Sequence, residues 1–76
     1  MSELLAELAR RLVAEPEAVR VEQVEDEDGL LLRLHVAPAD VGKVIGRHGR
    51  IARALRTIVR AGAGRGDRRV QLEIVD

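Results

Sequence analysis

The sequence predicts an α+β domain in which helices cover one face of a three-stranded sheet, with the element order α-β-β-α-α-β. Apolar residues recur at helical spacing in three segments, and they alternate with polar residues in three others. Glycine, proline and acidic turn residues separate these segments. A chain of 76 residues has the size of one small domain, so we expect a single domain over residues 1–76.

The first helix is expected over residues 1–15. Ser2 is a residue type that caps helices, and Glu3 suits the positive end of the helix dipole. Leucines then recur at helical spacing, at Leu4, Leu5, Leu8 and Leu12. Pro16 stops the run. We interpret this helix as structural.

Two strand-like runs flank a turn signal at Asp28-Gly29. In the first run valines alternate with charged residues from Val19 to Glu22, but Val24 breaks the alternation, which predicts a bulge or an early strand end. In the second run, alternate apolar residues share one face, namely Leu30, Leu32, Leu34 and Val36. A third run over residues 70–74 alternates in the same way and predicts the last strand.

Residues 38–62 are expected to form two helices joined by the sequence G-R-H-G. Asp40 has the residue type of an N-cap for a short helix that ends at Ile45. A second helix is expected to begin near Arg50, with apolar residues on one arc. Its basic residues fall on the opposite arc, at Arg50, Arg53, Arg56 and Arg60. Residues 62–67 are expected to form a flexible loop.

Charge is unevenly distributed along a chain whose formal net charge is zero. Residues 1–40 carry four basic and ten acidic side chains, whereas residues 41–70 carry nine basic side chains and one acid. This asymmetry indicates a local anion-binding surface, and a solvated arginine face is the alternative. The chain contains no Phe, Tyr or Trp, so a bound nucleic acid could not stack its bases on any of these residues, which form the usual single-strand platform.

The G-R-H-G loop has the features of a phosphate-binding bend. Gly46 can end a helix in a conformation that other residues avoid, and Gly49 can let a ligand backbone approach closely. Arg47 and His48 must then project outward, and the first amides of the next helix would face an anion at the loop. A simple corner between two helices is the alternative. Neither GxxxxGKS/T nor GxGxxG is present, so no nucleotide cofactor is implied.

The segment APADVGKVIGRHGRIARALRT resembles the signature of KH domains, in which an Ile-Gly-x-x-Gly core joins two helices. The element order is similar to that of type II KH domains, and the chain as a whole resembles the KhpA family of small stand-alone bacterial KH proteins. The resemblance implies one KH domain that binds single-stranded RNA by clamping about four nucleotides. The RNA-binding residues that it implies are Lys43, Ile45, Gly46, Arg47, His48, Gly49, Arg50 and Arg53. Val41 and Val44 would join Ile45 on the apolar side of the base groove.

The resemblance also implies protein partners. Members of the family are described as forming homodimers, and as pairing with a larger KH-containing protein of the Jag/KhpB type, in RNA regulation linked to cell elongation. An RNA chaperone or post-transcriptional regulator is the function expected from this likeness. Candidates for the dimer face are apolar residues of the long second helix left over after packing, such as Ala52 and Val59, and the edge of the last strand. A protein-interaction subunit with little RNA affinity of its own is the alternative.

Other functional classes find little support in the sequence. There is no cysteine and no Ser/His/Asp set, and the carboxylates cluster in the hairpin, so we expect no enzyme. His35 and His48 without thiolates make a weak zinc site, and no cofactor or metal is expected. No apolar run approaches the roughly 20 residues that span a bilayer, and no signal peptide pattern is present, so we expect a cytoplasmic location.

Overall fold

Three α-helices and three β-strands follow the expected order in the computed structural model, which describes residues 2–62 and 69–75. The α+β fold class is therefore confirmed. The elements are α1 (Ser2–Leu12), β1 (Arg20–Glu25), β2 (Gly29–His35), α2 (Val41–Ile45), α3 (Arg50–Gly62) and β3 (Arg69–Val75). The loop expected over 62–67 lies, apart from Gly62, outside the described residues.

The strands form one mixed sheet in the order β1-β2-β3. The central strand β2 is antiparallel to β1 and parallel to β3. Its register with β1 is continuous and places Val24 opposite Leu31, so the expectation of a bulge or early end at Val24 was wrong. β1 continues to Glu25. Val24 lies on the sheet face away from the helices, and 42% of its surface is exposed.

The helices all pack on the other face of the sheet, as the alternation of apolar residues predicts. α1 contacts β1, whereas α2 and α3 both contact β3. The largest fully buried apolar side chains come from both layers: Leu5, Leu32, Leu34, Val44 and Val59. Burial of each such side chain contributes about 1.5–3 kcal/mol, so an aliphatic core holds the fold without aromatic residues.

A buried carboxylate at Asp40 joins the end of α1 to the start of α2. Asp40 is 1% exposed, and its oxygens accept hydrogen bonds from the backbone amides of Ala14, at 3.1 Å, and Glu15, at 3.0 Å. These two amides are thereby held outside α1, which ends at Leu12 rather than at residue 15. Asp40 occupies the N-cap position of α2 but makes no side-chain cap hydrogen bond. The expected capping role was therefore wrong, because the carboxylate is turned to the chain after α1.

The pKa of the Asp40 carboxyl lies below its ordinary value of 3.8. Burial raises this pKa, but hydrogen bonds from the Ala14 amide, the Lys43 ammonium group and the Glu15 amide lower it by more, together with the charge of Lys43. Folding therefore stabilises the ionised form of Asp40.

The turn between β1 and β2 also sets the position of β3. Asp26 Oδ1 accepts hydrogen bonds from the amides of Asp28, at 2.8 Å, and Gly29, at 2.9 Å. Gly29 is buried because β3 begins beside it, and a Cβ at this position would overlap the carbonyl oxygen of Arg69. The glycine of the turn signal therefore also permits the parallel pairing of β2 with β3.

Candidate nucleic-acid interface

The chain bends sharply between α2 and α3 through three residues with positive φ. α2 ends at Ile45 and is capped by Gly46, which has φ 77° and ψ 171° and whose amide donates to the carbonyl of Gly42. A single 3₁₀ turn follows over Arg47–Gly49, in which His48 has φ 58° and Gly49 has φ 73°. The Gly49 amide donates to the Gly46 carbonyl at 3.1 Å, which closes the bend.

Gly46 is required by its contacts as well as by its backbone angles. A Cβ at Gly46 would lie 2.7 Å from Cγ1 of Ile51, a residue that packs against the core. At Gly49, by contrast, a Cβ would meet no atom within 4 Å. The first glycine therefore lets α2 and α3 meet, whereas the second leaves open space on the outside of the bend.

The eight residues implied by the family resemblance lie together around this bend. They occupy α2, the 3₁₀ turn and the first turn of α3. Arg47, His48 and Arg50 are exposed, and no acidic residue occurs from 41 to 60. Within residues 2–62 and 69–75, neither Arg47 nor Arg50 makes an ion pair or a side-chain hydrogen bond. In this part of the chain their positive charge therefore has no counter-ion and is available to an anion.

Two of the implied residues have a partner within the chain. Lys43 Nζ lies 3.1 Å from Asp40 Oδ1, while half of the lysine side chain remains exposed. Arg53 Nη2 donates to the carbonyl oxygen of His48 at 2.7 Å. Both side chains are therefore held near the bend by contacts within the chain.

The apolar side of the bend is smaller than the sequence suggests. Ile45 is 37% exposed at the end of α2 and can contact a ligand. Val41 is half-buried, and Val44 is fully buried at 0% exposure. The expectation that Val44 lines a base groove was wrong, because its side chain belongs to the core between helices and sheet.

The two residues of α3 that were expected as dimer contacts are not the ones that α3 exposes. Ala52 is 4% exposed and Val59 is 1% exposed, so neither is available for a second chain, and their choice was wrong. Ile58 is 39% exposed and is the large apolar residue that α3 leaves at the surface. The outer edge of β3 makes no strand pair within the described part of the chain.

The contacts that Lys43 and Arg53 make within the chain were not predicted from the sequence. Lys43 stands three residues after Asp40, which is a spacing typical of helical ion pairs, so this pair could have been found. The bond from Arg53 goes to a backbone carbonyl, whose direction depends on the left-handed conformation of His48. No sequence signal indicates that direction.

The described residues contain no group of three or more His, Cys, Asp or Glu side chains that could hold a metal ion. Among the same residues, none of the helices is long and apolar enough to cross a membrane.

The family model described as the KH domain of KhpA and KhpB matches residues 2–74 of this chain. The chain belongs to the KhpA/KhpB KH-domain family. The segment matched by this family model includes α2, the Gly46–Gly49 bend and α3. The KhpA/KhpB family is non-enzymatic, and the chain is accordingly not an enzyme.

Several relatives carry the name RNA-binding protein KhpA. The KhpA of Clostridium acetobutylicum is 47% identical over 75 residues, which cover 99% of this chain and 100% of the relative. The KhpA of Treponema pallidum is 53% identical over 74 residues, covering 97% and 92% of the two chains. The KhpA of Listeria monocytogenes is 40% identical over the full length of both. The comparison with solved structures found none that matches.

Proposed function

We propose that this chain is a single-stranded RNA-binding protein, an RNA chaperone or post-transcriptional regulator, that holds the RNA backbone at the Gly46–Gly49 bend. The observation that carries the proposal is the exposed charge of Arg47, within an open backbone turn, and of Arg50 directly after it, neither of which has a counter-ion among residues 2–62 and 69–75. Its relatives carry the name RNA-binding protein KhpA, which supports the same ligand.

The bend is suited to a sugar–phosphate backbone for a geometric reason. Gly49 has no side chain, and the space where a Cβ would stand is open, so a phosphate can approach the main chain closely. The α3 helix begins directly after this glycine, and a helix N-terminus favours negative charge through its first amides. Arg47, His48 and Arg50 are exposed and stand next to this glycine in the sequence, so their side chains add donors near it.

The bases would lie beside Ile45 and against the neighbouring β3 edge. Ile45 presents an exposed aliphatic surface next to Gly46, and both α2 and α3 contact β3. Aliphatic contact and hydrogen bonds to a strand edge need no aromatic ring. Lys43 completes the proposed set of RNA-binding residues from a position set by its ion pair with Asp40. Arg53, which the family resemblance also implies, stands beside the bend with its side chain bonded to the His48 carbonyl.

We also propose that the chain acts in the cytoplasm as a homodimer, or as a heterodimer with a larger KH-containing protein of the Jag/KhpB type. A domain of this size buries only about 60% of the surface of its unfolded chain, so a second chain would add stability. Ile58 supplies an exposed apolar residue on α3 for such a contact.

The direct test reverses the charge of the bend. The double variant Arg47→Asp, His48→Asp changes two exposed side chains, so the thermal melting curve should stay close to that of the unchanged chain. Its affinity for an oligoribonucleotide, measured by fluorescence anisotropy, should fall at least about tenfold, since two repulsive charges replace attractive contacts.

The matched control is Arg10→Asp, Arg11→Gln, which makes the same net charge change on α1, outside the bend and far from it in sequence. This control should retain most of the RNA affinity. A folded bend variant that binds RNA as tightly as the unchanged chain would place the site elsewhere. Absence of RNA binding by the unchanged chain would favour the protein-interaction subunit.

A further inference from the structure

Arg53 and His48 are joined by a hydrogen bond that crosses the bend. Arg53 stands in the first turn of α3 and donates from Nη2 to the carbonyl oxygen of His48 at 2.7 Å. His48 precedes α3 and has φ 58° and ψ 23°, in the left-handed region. Only a few per cent of residues other than glycine adopt this region, so its conformation here needs support from the surroundings.

We propose that Arg53 is a positioning residue that holds the Gly46–Gly49 bend in its binding conformation, rather than a residue that contacts the RNA phosphates. This inference rests on the proposed function of the bend. The hydrogen bond fixes the direction of the peptide between His48 and Gly49. It thereby supports the closed bend, in which the Gly49 amide donates to the Gly46 carbonyl, and the position in which α3 begins.

The physical reason is preorganisation. When only a fraction of the molecules has the binding-competent conformation, the apparent affinity for the ligand is reduced by that fraction. The guanidinium bond is charge-assisted and short, and such bonds are stronger than neutral ones. It opposes the tendency of His48 to leave the left-handed region, so the bend remains populated before any RNA arrives.

Arg50 offers a matched comparison on the same helix turn. It carries the same charge and is exposed, but it makes no side-chain hydrogen bond or ion pair within residues 2–62 and 69–75. Replacement of either arginine by methionine removes one positive charge at the bend. A difference between Arg53→Met and Arg50→Met therefore reports the bond to His48 and not the loss of charge.

The first measurement uses the chain without RNA. Solvent exchange of the Gly49 and Arg50 amides, followed by NMR, reports opening of the bend, because these amides donate to Gly46 and Arg47. In Arg53→Met we expect exchange about three- to tenfold faster than in the unchanged chain, which is the effect of losing one hydrogen bond. In Arg50→Met the exchange of the Gly49 amide should stay unchanged.

The second measurement is RNA affinity as a function of salt, with a short oligouridylate as the probe. Arg53→Met should weaken binding about three- to tenfold while the slope of log affinity against log salt stays unchanged. Arg50→Met, if it removes a phosphate contact, should make that slope shallower by about 0.7.

The outcomes separate the two claims. Amide exchange in Arg53→Met equal to that of the unchanged chain overturns the positioning role, and so does a salt slope reduced by about 0.7 in this variant. If the unchanged chain binds no oligouridylate, the proposed RNA-binding function fails, while the exchange measurement still decides whether Arg53 holds the bend.

Discussion

Lys43 places its ammonium nitrogen 3.1 Å from the Asp40 carboxylate, so one of the basic residues of the proposed RNA site is also the counter-ion of a buried acid. Asp40 itself holds the chain that follows α1 through the amides of Ala14 and Glu15. The bend between α2 and α3 is therefore linked to α1 through one carboxylate. Changes at Asp40 should affect both the stability of the fold and the position of α2.

Replacement of Asp40 by Asn should lower stability at neutral pH, and the loss should shrink in acid. The pKa of Asp40 is lowered on folding, so as pH falls the unfolded chain takes up the proton first. The stability that the carboxylate contributes is thus complete above its ordinary pKa of 3.8 and is lost as pH falls through the lower folded-state pKa.

Urea denaturation of both chains from about pH 7 to about pH 2.5 would measure this difference. The gap in unfolding free energy between the unchanged chain and Asp40→Asn should narrow below about pH 4. A gap that stays constant over this range would show that the ionised carboxylate does not contribute in the way described.

Gly46 and Gly49 should differ in their tolerance of alanine. Gly46→Ala combines a left-handed backbone with a clash against Ile51, and we expect it to lose about 2–4 kcal/mol of unfolding free energy. Gly49→Ala has the backbone cost alone, about 1–2 kcal/mol, because its Cβ would stand in open space. Urea denaturation measures both, and equal losses would contradict the close packing of Gly46 against Ile51.

RNA affinity should depend strongly on salt. If about four phosphates are contacted, log affinity should fall against log salt with a slope near −2.8, which is a loss of roughly fifty-fold from 50 to 200 mM. Anisotropy titrations with a short oligoribonucleotide would give the slope. A salt-independent affinity would be inconsistent with binding through the basic bend.

Ile58→Asp should disrupt self-association if α3 carries the dimer contact. A carboxylate in an apolar contact would lose its water without gaining a partner, which disfavours the dimer. Sedimentation velocity should show the unchanged chain as a dimer and Ile58→Asp as a monomer with an unchanged melting curve. Leu12→Asp is the control, since Leu12 is exposed to a similar extent on α1. A monomeric unchanged chain, or a dimer that Leu12→Asp alone dissociates, would contradict the proposed face.

The order of elements and the place of the bend were predictable from the sequence because both depend on local chemistry. Apolar spacing separates helices from strands, and Gly46 and Gly49 mark the bend because glycine adopts positive φ at low cost. The exposure of Arg47 and His48 follows from a two-residue turn that has no interior. These predictions concern neighbours along the chain, where the sequence carries the information directly.

The tertiary structure alone decided which side chains the rest of the fold covers and which backbone groups they meet. The sequence allowed Val44 to contact RNA and Val59 to contact a second chain, but both side chains are buried between the sheet and the helices. Asp40 meets amides 25 and 26 residues away, and Arg53 meets a carbonyl whose direction depends on the conformation of His48. The parallel pairing of β3 with β2 likewise joins segments that are distant along the chain, and local periodicity contains no information about such contacts.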